Sequence, residues 1–255
     1  MTKDETRQLG IEFERRVQTM IPEKEYLDKL DTETIYSFLN QAQDRYVHDV
    51  YRSLDKIVPN SNDAKRIERV LQPYLTSVVL DADDADESYW DDDAFESGKN
   101  AIKYNLPNDY YLYGRSISKV TSTFNWRGST GSFKTIPNAW TNQIEVGNFI
   151  ETPYDQLRII RYPLAVISEY EDDKPTLTII HDRYTTINAV QLMYYSTPTY
   201  FTPLDNNTKC ELPMDCFEEL LTIALDLYVQ YVAGAEANKK RKDEEIRKQQ
   251  EAQQR

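Results

Sequence analysis

Cysteine is almost absent from this chain. Cys210 and Cys216 are the only two in 255 residues, and their spacing matches no zinc or redox pattern. Two buried thiols in a reducing cytoplasm are expected, with no disulfide framework. Histidine is equally scarce: His48 and His181 stand alone, neither inside an HExxH spacing, so zinc hydrolysis and triad chemistry have no local support. Long apolar runs are missing too. Nothing approaches the ~20 apolar residues of a membrane span, and the opening MTKDETRQLGIEFERR has no apolar stretch of the kind a secretory signal needs. Positive charge is in deficit, with 30 Lys and Arg against 43 Asp and Glu, a net charge of −13. That disfavours nucleic-acid binding by phosphate neutralisation. An acidic surface does suit a channel that DNA slides through without sticking.

Two further motifs fail on inspection. The fragment GSTGS (128 to 132) has no lysine in Walker spacing and no strand leading into a following helix, so it reads as a loop tip. The acidic run from Asp81 to Glu96 holds nine carboxylates in sixteen residues. An EF-hand loop needs oxygen ligands at its first, third and fifth positions and glycine at its sixth. Counted from Asp81, the fifth is Ala85 and the sixth is Asp86. No convergent acid, base, nucleophile or metal set emerges, so neither an enzyme nor a cofactor is expected.

What the chain does have is material for a core. Its 40% apolar and 12% aromatic content suits a folded protein, and 255 residues allow two modest domains or one with a large insertion. Nineteen tyrosines against eight phenylalanines favour strands and interfaces that stay partly wet. The most apolar helical stretch lies near the end, in ELPMDCFEELLTIALDLYVQYVAG (211 to 234). Pro213 suits a first helical turn, and Asp215, Glu218 and Glu219 complement the positive end of the macrodipole. Phe217, Leu220, Leu221, Ala224, Leu227, Tyr228 and Tyr231 recur at helical spacing and form the expected core face of this spine.

Three helices are expected upstream. One runs from Asp4 to Ile21 with Leu9, Phe13, Val17 and Met20 on one face, stopped by Pro22. A second starts near Asp31 or Thr32, runs to about Leu54, and carries Ile35, Phe38, Leu39, Ala42, Tyr46, Val50 and Leu54. A third covers Asp63 to Gln72, with Ile67, Val70 and Leu71 inward. After Pro73 the pattern turns to short runs rich in Tyr, Ile, Val and Thr: YLTSVVL, YYLYGRSISKV, TSTFNW, QIEV, LRIIRYPLAVISEY, TLTIIHDRY and AVQLMYYSTP. The fold class read from this order is α+β. Three N-terminal helices and a long C-terminal helix form a helical bundle that carries a large inserted antiparallel β region. The helical part is placed at 1–75 and 212–255, and the β-rich part at 76–211.

Two charged stretches are candidate surfaces. In the acidic run, Asp81, Asp83, Asp84, Asp86, Glu87, Asp91, Asp92 and Asp93 read either as a solvated loop or as a repulsive, channel-facing surface. The polar tail after Ala235 carries Lys239, Lys240, Arg241 and Lys242 ahead of Asp243 to Glu245, then Ile246 and Arg247. Opposite charges at helical spacing read as a long solvated helix, an arm able to dock on a portal or a neighbouring subunit. Trp126 and Trp140 are a candidate stacking platform, although core packing is the commoner use of such rings.

Three stretches together resemble head–tail adaptor proteins of tailed bacteriophages, nearest to the portal-proximal ring proteins of crAss-like phages. They are TETIYSFLNQAQDRYV, LPNDYYLYGRSIS and LPMDCFEELLTIALDLYVQYVAGA, and with the helical frame they cover about half the chain. The resemblance implies a non-enzymatic structural virion protein at the portal–tail junction, assembled in the host bacterial cytoplasm. It implies self-association into a ring, dodecameric in such adaptors, with contacts to the portal and to the next tail or ring protein. Genomic DNA would pass transiently without sticking, and no membrane is involved. The other class of function that the residues leave open is a β-rich module binding a carbohydrate or another ligand, resting on Trp126, Trp140 and the tyrosines.

Overall fold

The computed structural model describes residues 1–20, 30–56, 61–81, 99–122, 133–141, 162–171, 174–182, 185–202 and 209–253. The chain divides into two compact units, Met1–Pro73 with Pro198–Arg255, and Tyr74–Thr197. Among the described residues it is a mixed helix and sheet protein with four α-helices and two four-stranded sheets. No helix among them is long and apolar enough to cross a membrane.

The first unit contains α1 (Lys3–Met20), α2 (Thr32–Ser53), α3 (Asn62–Leu71) and α4 (Phe217–Gln253). The starts of α2 and α3 are fixed by side-chain caps. Asp31 accepts from the Thr34 N–H at 2.7 Å, and Ser61 accepts from the Ala64 N–H at 3.1 Å. Each cap satisfies a donor that the helix itself leaves open. Leu9, Phe13 and Val17 of α1 are buried with Ile35, Phe38, Leu39, Ala42, Tyr46 and Val47 of α2 and with Ile67, Val70 and Leu71 of α3. An aromatic knot sits at the centre. The Tyr228 ring of α4 meets Phe38 at 5.4 Å and Phe13 at 6.0 Å, both edge-on, an arrangement the ring quadrupoles favour.

Several expectations shift here. Met20, expected inward, is exposed at the last residue of α1, and Val50 and Leu54 are only half-buried where α2 ends. Val47 takes a core position instead. Pro213 lies outside the helix, as the extended residue (φ −65°, ψ 155°) that precedes a short 3-10 turn, Met214–Cys216, leading into α4. Pro22, expected to stop α1, lies outside the described residues.

The second unit contains β1 (Leu75–Asp81), β2 (Lys99–Asn105), β3 (Tyr110–Ser122), β4 (Phe133–Pro137), β5 (Ala139–Trp140), β6 (Leu164–Glu171), β7 (Lys174–Asp182) and β8 (Thr185–Ser196). One sheet has the order β1-β8-β3-β4 and the other β2-β7-β6-β5. Among the described residues every pairing is antiparallel except β5 with β6, a two-residue parallel contact that departs from the expected all-antiparallel region. One apolar cluster joins the sheets: Ile102 and Tyr104 of β2 and Leu177 and Ile179 of β7 pack with Val120 of β3 and Ile187, Val190, Leu192 and Tyr194 of β8. Of the expected strand runs, TSTFNW contributes its first two residues to the end of β3, and QIEV lies outside the described residues. The expected boundary at 211 also moves, because residues 198 onward belong with the helical unit.

Candidate docking site

The helical unit offers the most developed polar construction, around the start of α4. The Tyr46 hydroxyl donates to the Cys216 sulfur at 3.4 Å. Arg66 of α3 pairs with Glu219 of α4, Arg69 with Asp215 at 2.7 Å, and Arg16 of α1 with both carboxylate oxygens of Glu218 at 3.0 Å. Three acidic residues at this helix start thus each meet an arginine from a neighbouring helix. Beside them lies a cleft of about 290 Å³, lined by Tyr46, Val50, Arg66, Ile67, Val70 and Glu219 among others.

The electrostatics of this cluster keep its phenol and thiols in their neutral forms. Burial, with the adjacent Cys216 and Glu219, pushes the Tyr46 phenol far up, so it stays protonated. Burial also pushes Glu219 up, but hydrogen bonds from Arg66 and Tyr46 outweigh it and leave the carboxyl below its ordinary value. Cys216 is raised by burial, and Cys210 is pushed up to about 11 by the same cause. Both thiols are free and buried. Protonated, shielded thiols are poor nucleophiles. Among the described residues no group of His, Cys, Asp and Glu could hold a metal ion.

A second construction holds the chain as it returns to the helices. Asn40 grips the Phe201 backbone at both ends, donating to its carbonyl at 3.0 Å and accepting from its N–H at 3.1 Å. Gln43 donates to the Thr199 carbonyl at 3.4 Å, and Asp44 accepts from the Tyr200 hydroxyl at 2.7 Å. Burial raises the Asp44 carboxyl, opposed by that hydrogen bond. Asn40, Gln43 and Asp44 sit three and four residues apart, on one face of α2, where they meet an extended strap. Apolar periodicity alone does not reveal this face. Its signal was a cluster of amides and a carboxylate (NQAQD) inside an otherwise apolar stripe, with Gln43 fully buried.

The sequence-predicted residues fall as follows. On the spine helix, Leu220, Leu221, Ala224 and Tyr228 are buried, and Phe217 and Leu227 are half-buried. Tyr231 departs from the expected core face: it is 60% exposed, its ring against Phe38 at 5.8 Å. Leu225 and Val232, absent from the expected stripe, are buried. The inward face is therefore rotated toward those two, because α4 is held between α1 and α2. Lys239, Lys240, Arg241, Lys242, Ile246 and Arg247 lie on the α4 backbone, and their side chains are outside the described residues. Asp81 is the exposed last residue of β1. Asp83, Asp84, Asp86, Glu87, Asp91, Asp92 and Asp93 lie outside the described residues, as do the GSTGS fragment and Trp126. Trp140 is 48% exposed and stacks on Tyr113 at 4.2 Å. Two residues before it in the chain, Asn138 donates to Ser116 at 2.9 Å and accepts from Ser118 at 2.7 Å. His181 is buried in β7.

No protein-family model matches the chain, and no curated protein matches it.

Proposed function

We propose that this protein is a structural virion component, a ring connector between portal and tail that lines the DNA exit channel. In this reading the four helices are the bundle frame of an adaptor carrying an inserted β-rich unit. Twelve copies close into a ring, bind the portal on one side and the next tail or ring protein on the other, and perform no catalysis. The observation that carries the reading is the form of α4. It runs 37 residues from Phe217, and its last described buried residue is Val232. The helix then continues to Gln253, about 30 Å further at 1.5 Å per residue, with Ala233, Gly234, Ala235 and Ala237 exposed. After Val232 the sequence of this helix has Ile246 as its one large apolar residue, which suits an arm for another body. The sequence resemblance and the net charge of −13 support the same reading, since a negative lumen lets phosphates pass.

The test is assembly. The purified chain, mixed with a phage portal protein, is expected to give rings by negative-stain microscopy and a mass by light scattering that is a multiple of the subunit. A chain that ignores every virion component would sink the proposal. The second reading, a carbohydrate-binding module, is favoured by one observation, the half-exposed Trp140 on its Tyr113 support. Glycan-array binding that Trp140→Ala abolishes would favour it over the connector.

A further inference from the structure

Among the described residues the two sheets have four edge strands, and three of them carry a feature that discourages pairing with another chain. β2 holds Lys99 and Lys103, β4 holds Lys134 and ends at Pro137, and β5 is two residues long. Lysine, proline and shortness are the usual protections of an exposed edge. β1 has none of them. Its seven residues pair with β8 in unbroken register, without a bulge. It contains no proline and no cation, and its one charge is Asp81, at the end. Leu75 is 42% and Val79 58% exposed on its outward face. No backbone bond reaches the free side of β1 from any described residue.

We propose that two copies of the free chain pair through β1, antiparallel about a two-fold axis at Val78, joining two four-stranded sheets into one of eight. The strand is complementary to itself in this register. Val78 meets its own copy, Ser77 faces Val79, Thr76 faces Leu80 and Leu75 faces Asp81. No like charges oppose each other, and the two Asp81 carboxylates stand about 20 Å apart at ~3.4 Å per residue. Shifting the register toward the strand's end brings them together. A two-fold contact uses one patch twice and closes at two copies. It cannot propagate round a ring, so it belongs to the unassembled chain and stands independently of the connector reading. Each copy carries −13, so two copies repel at long range while the contact itself is nearly uncharged. Salt screens the repulsion and leaves the ladder intact. A seven-residue ladder is a small interface, so the dimer dissociates on dilution.

Sedimentation of the full chain over a range of concentration and salt reads this directly. The expected result is a monomer–dimer equilibrium that tightens as salt rises. Val79→Lys is expected to abolish the dimer without moving the melting temperature, and Ser77→Lys, also at an exposed position, is the second variant should the first fold poorly. Register is read by mild oxidation. A mixture of Ser77→Cys and Val79→Cys chains is expected to cross-link between copies more than either chain alone. A monomer at every concentration overturns the proposal. So does association that weakens with salt, survives both lysine variants, or cross-links no better in the mixture.

Discussion

Glu219 shows how a single side chain reports on the packing around it. Burial alone would raise its pKa, yet the Arg66 and Tyr46 hydrogen bonds leave it lowered. A carboxyl depressed in the folded state binds fewer protons than in the unfolded state over the window between the two pKa values. Its stabilising contribution is therefore present above the ordinary value near 4.5 and is lost as pH falls through the lower folded value. Glu219→Gln is expected to flatten the acid limb of a melting-temperature profile taken from pH 7 to 3, and Arg66→Met to do the same. Both partners are about half exposed, so the coupling between them in a double-mutant cycle is within about 1 kcal/mol. Acid profiles that stay parallel for parent and variants would show that the pair contributes nothing. Tyr231 and Leu225 carry a different lesson at this scale. Both suit a core helix by composition, and only the direction from which α1 and α2 approach decides which one is buried. Periodicity in one helix does not contain that direction.

Among the elements, β3 depends on one residue with no side chain. Its ladder with β8 runs Tyr113 to Tyr194, then Arg115 to Met193, leaving Gly114 as an extra residue in a bulge. A Cβ at this position would stand 2.7 Å from the Met193 carbonyl oxygen. That oxygen is backbone and cannot rotate away, so Gly114→Ala must displace the ladder at the centre of its sheet. Overpacking of this kind typically costs about 1–3 kcal/mol, expected as a lowered melting temperature with an unchanged far-ultraviolet spectrum. An unshifted melt would mean that the bulge is softer than its geometry. The first three helices were legible in the sequence nearly to the residue, because the Asp31 cap and apolar spacing write their limits locally, whereas α4 begins at Phe217, beyond the Pro213 expected in its first turn. The strands were less so. β2, KNAIKYN, alternates Ile102 and Tyr104 with lysine and asparagine, so its composition resembles a loop until β7 supplies a partner. The strap at 198 to 202 left the weakest trace: its three partners on α2 are polar residues whose meaning depends on a segment about 160 positions away in the chain.

For the whole molecule, the distribution of charge bears on assembly. The last twenty residues, 236 to 255, hold seven Lys and Arg against five Asp and Glu, inside a chain with a net charge of −13. This end of α4 thus carries a small excess of positive charge within a strongly anionic protein. It is also rich in Ala, Glu, Lys, Arg and Gln, which favour helix without favouring burial, and it has only Ile246 as a large apolar side chain. Such a segment adds little to the stability of the free subunit, because an isolated helix of this length is marginal in water. Its contribution comes when another surface meets it. Removing residues 236 to 255 is therefore expected to leave the melting temperature of the free chain within a few degrees of the parent, since the buried stripe from Leu220 to Val232 is retained. The same truncation is expected to weaken docking to the portal or to a neighbouring subunit by at least tenfold, about 1.4 kcal/mol, and docking of the intact chain is expected to weaken as salt rises. Salt thus acts in opposite senses at the two surfaces, strengthening pairing through the nearly uncharged β1 and weakening contacts through the cationic arm. A truncated chain that docks as tightly as the intact one would mean that the last turns of α4 are a solvated extension, and that the grip on the partner comes from the helical frame itself.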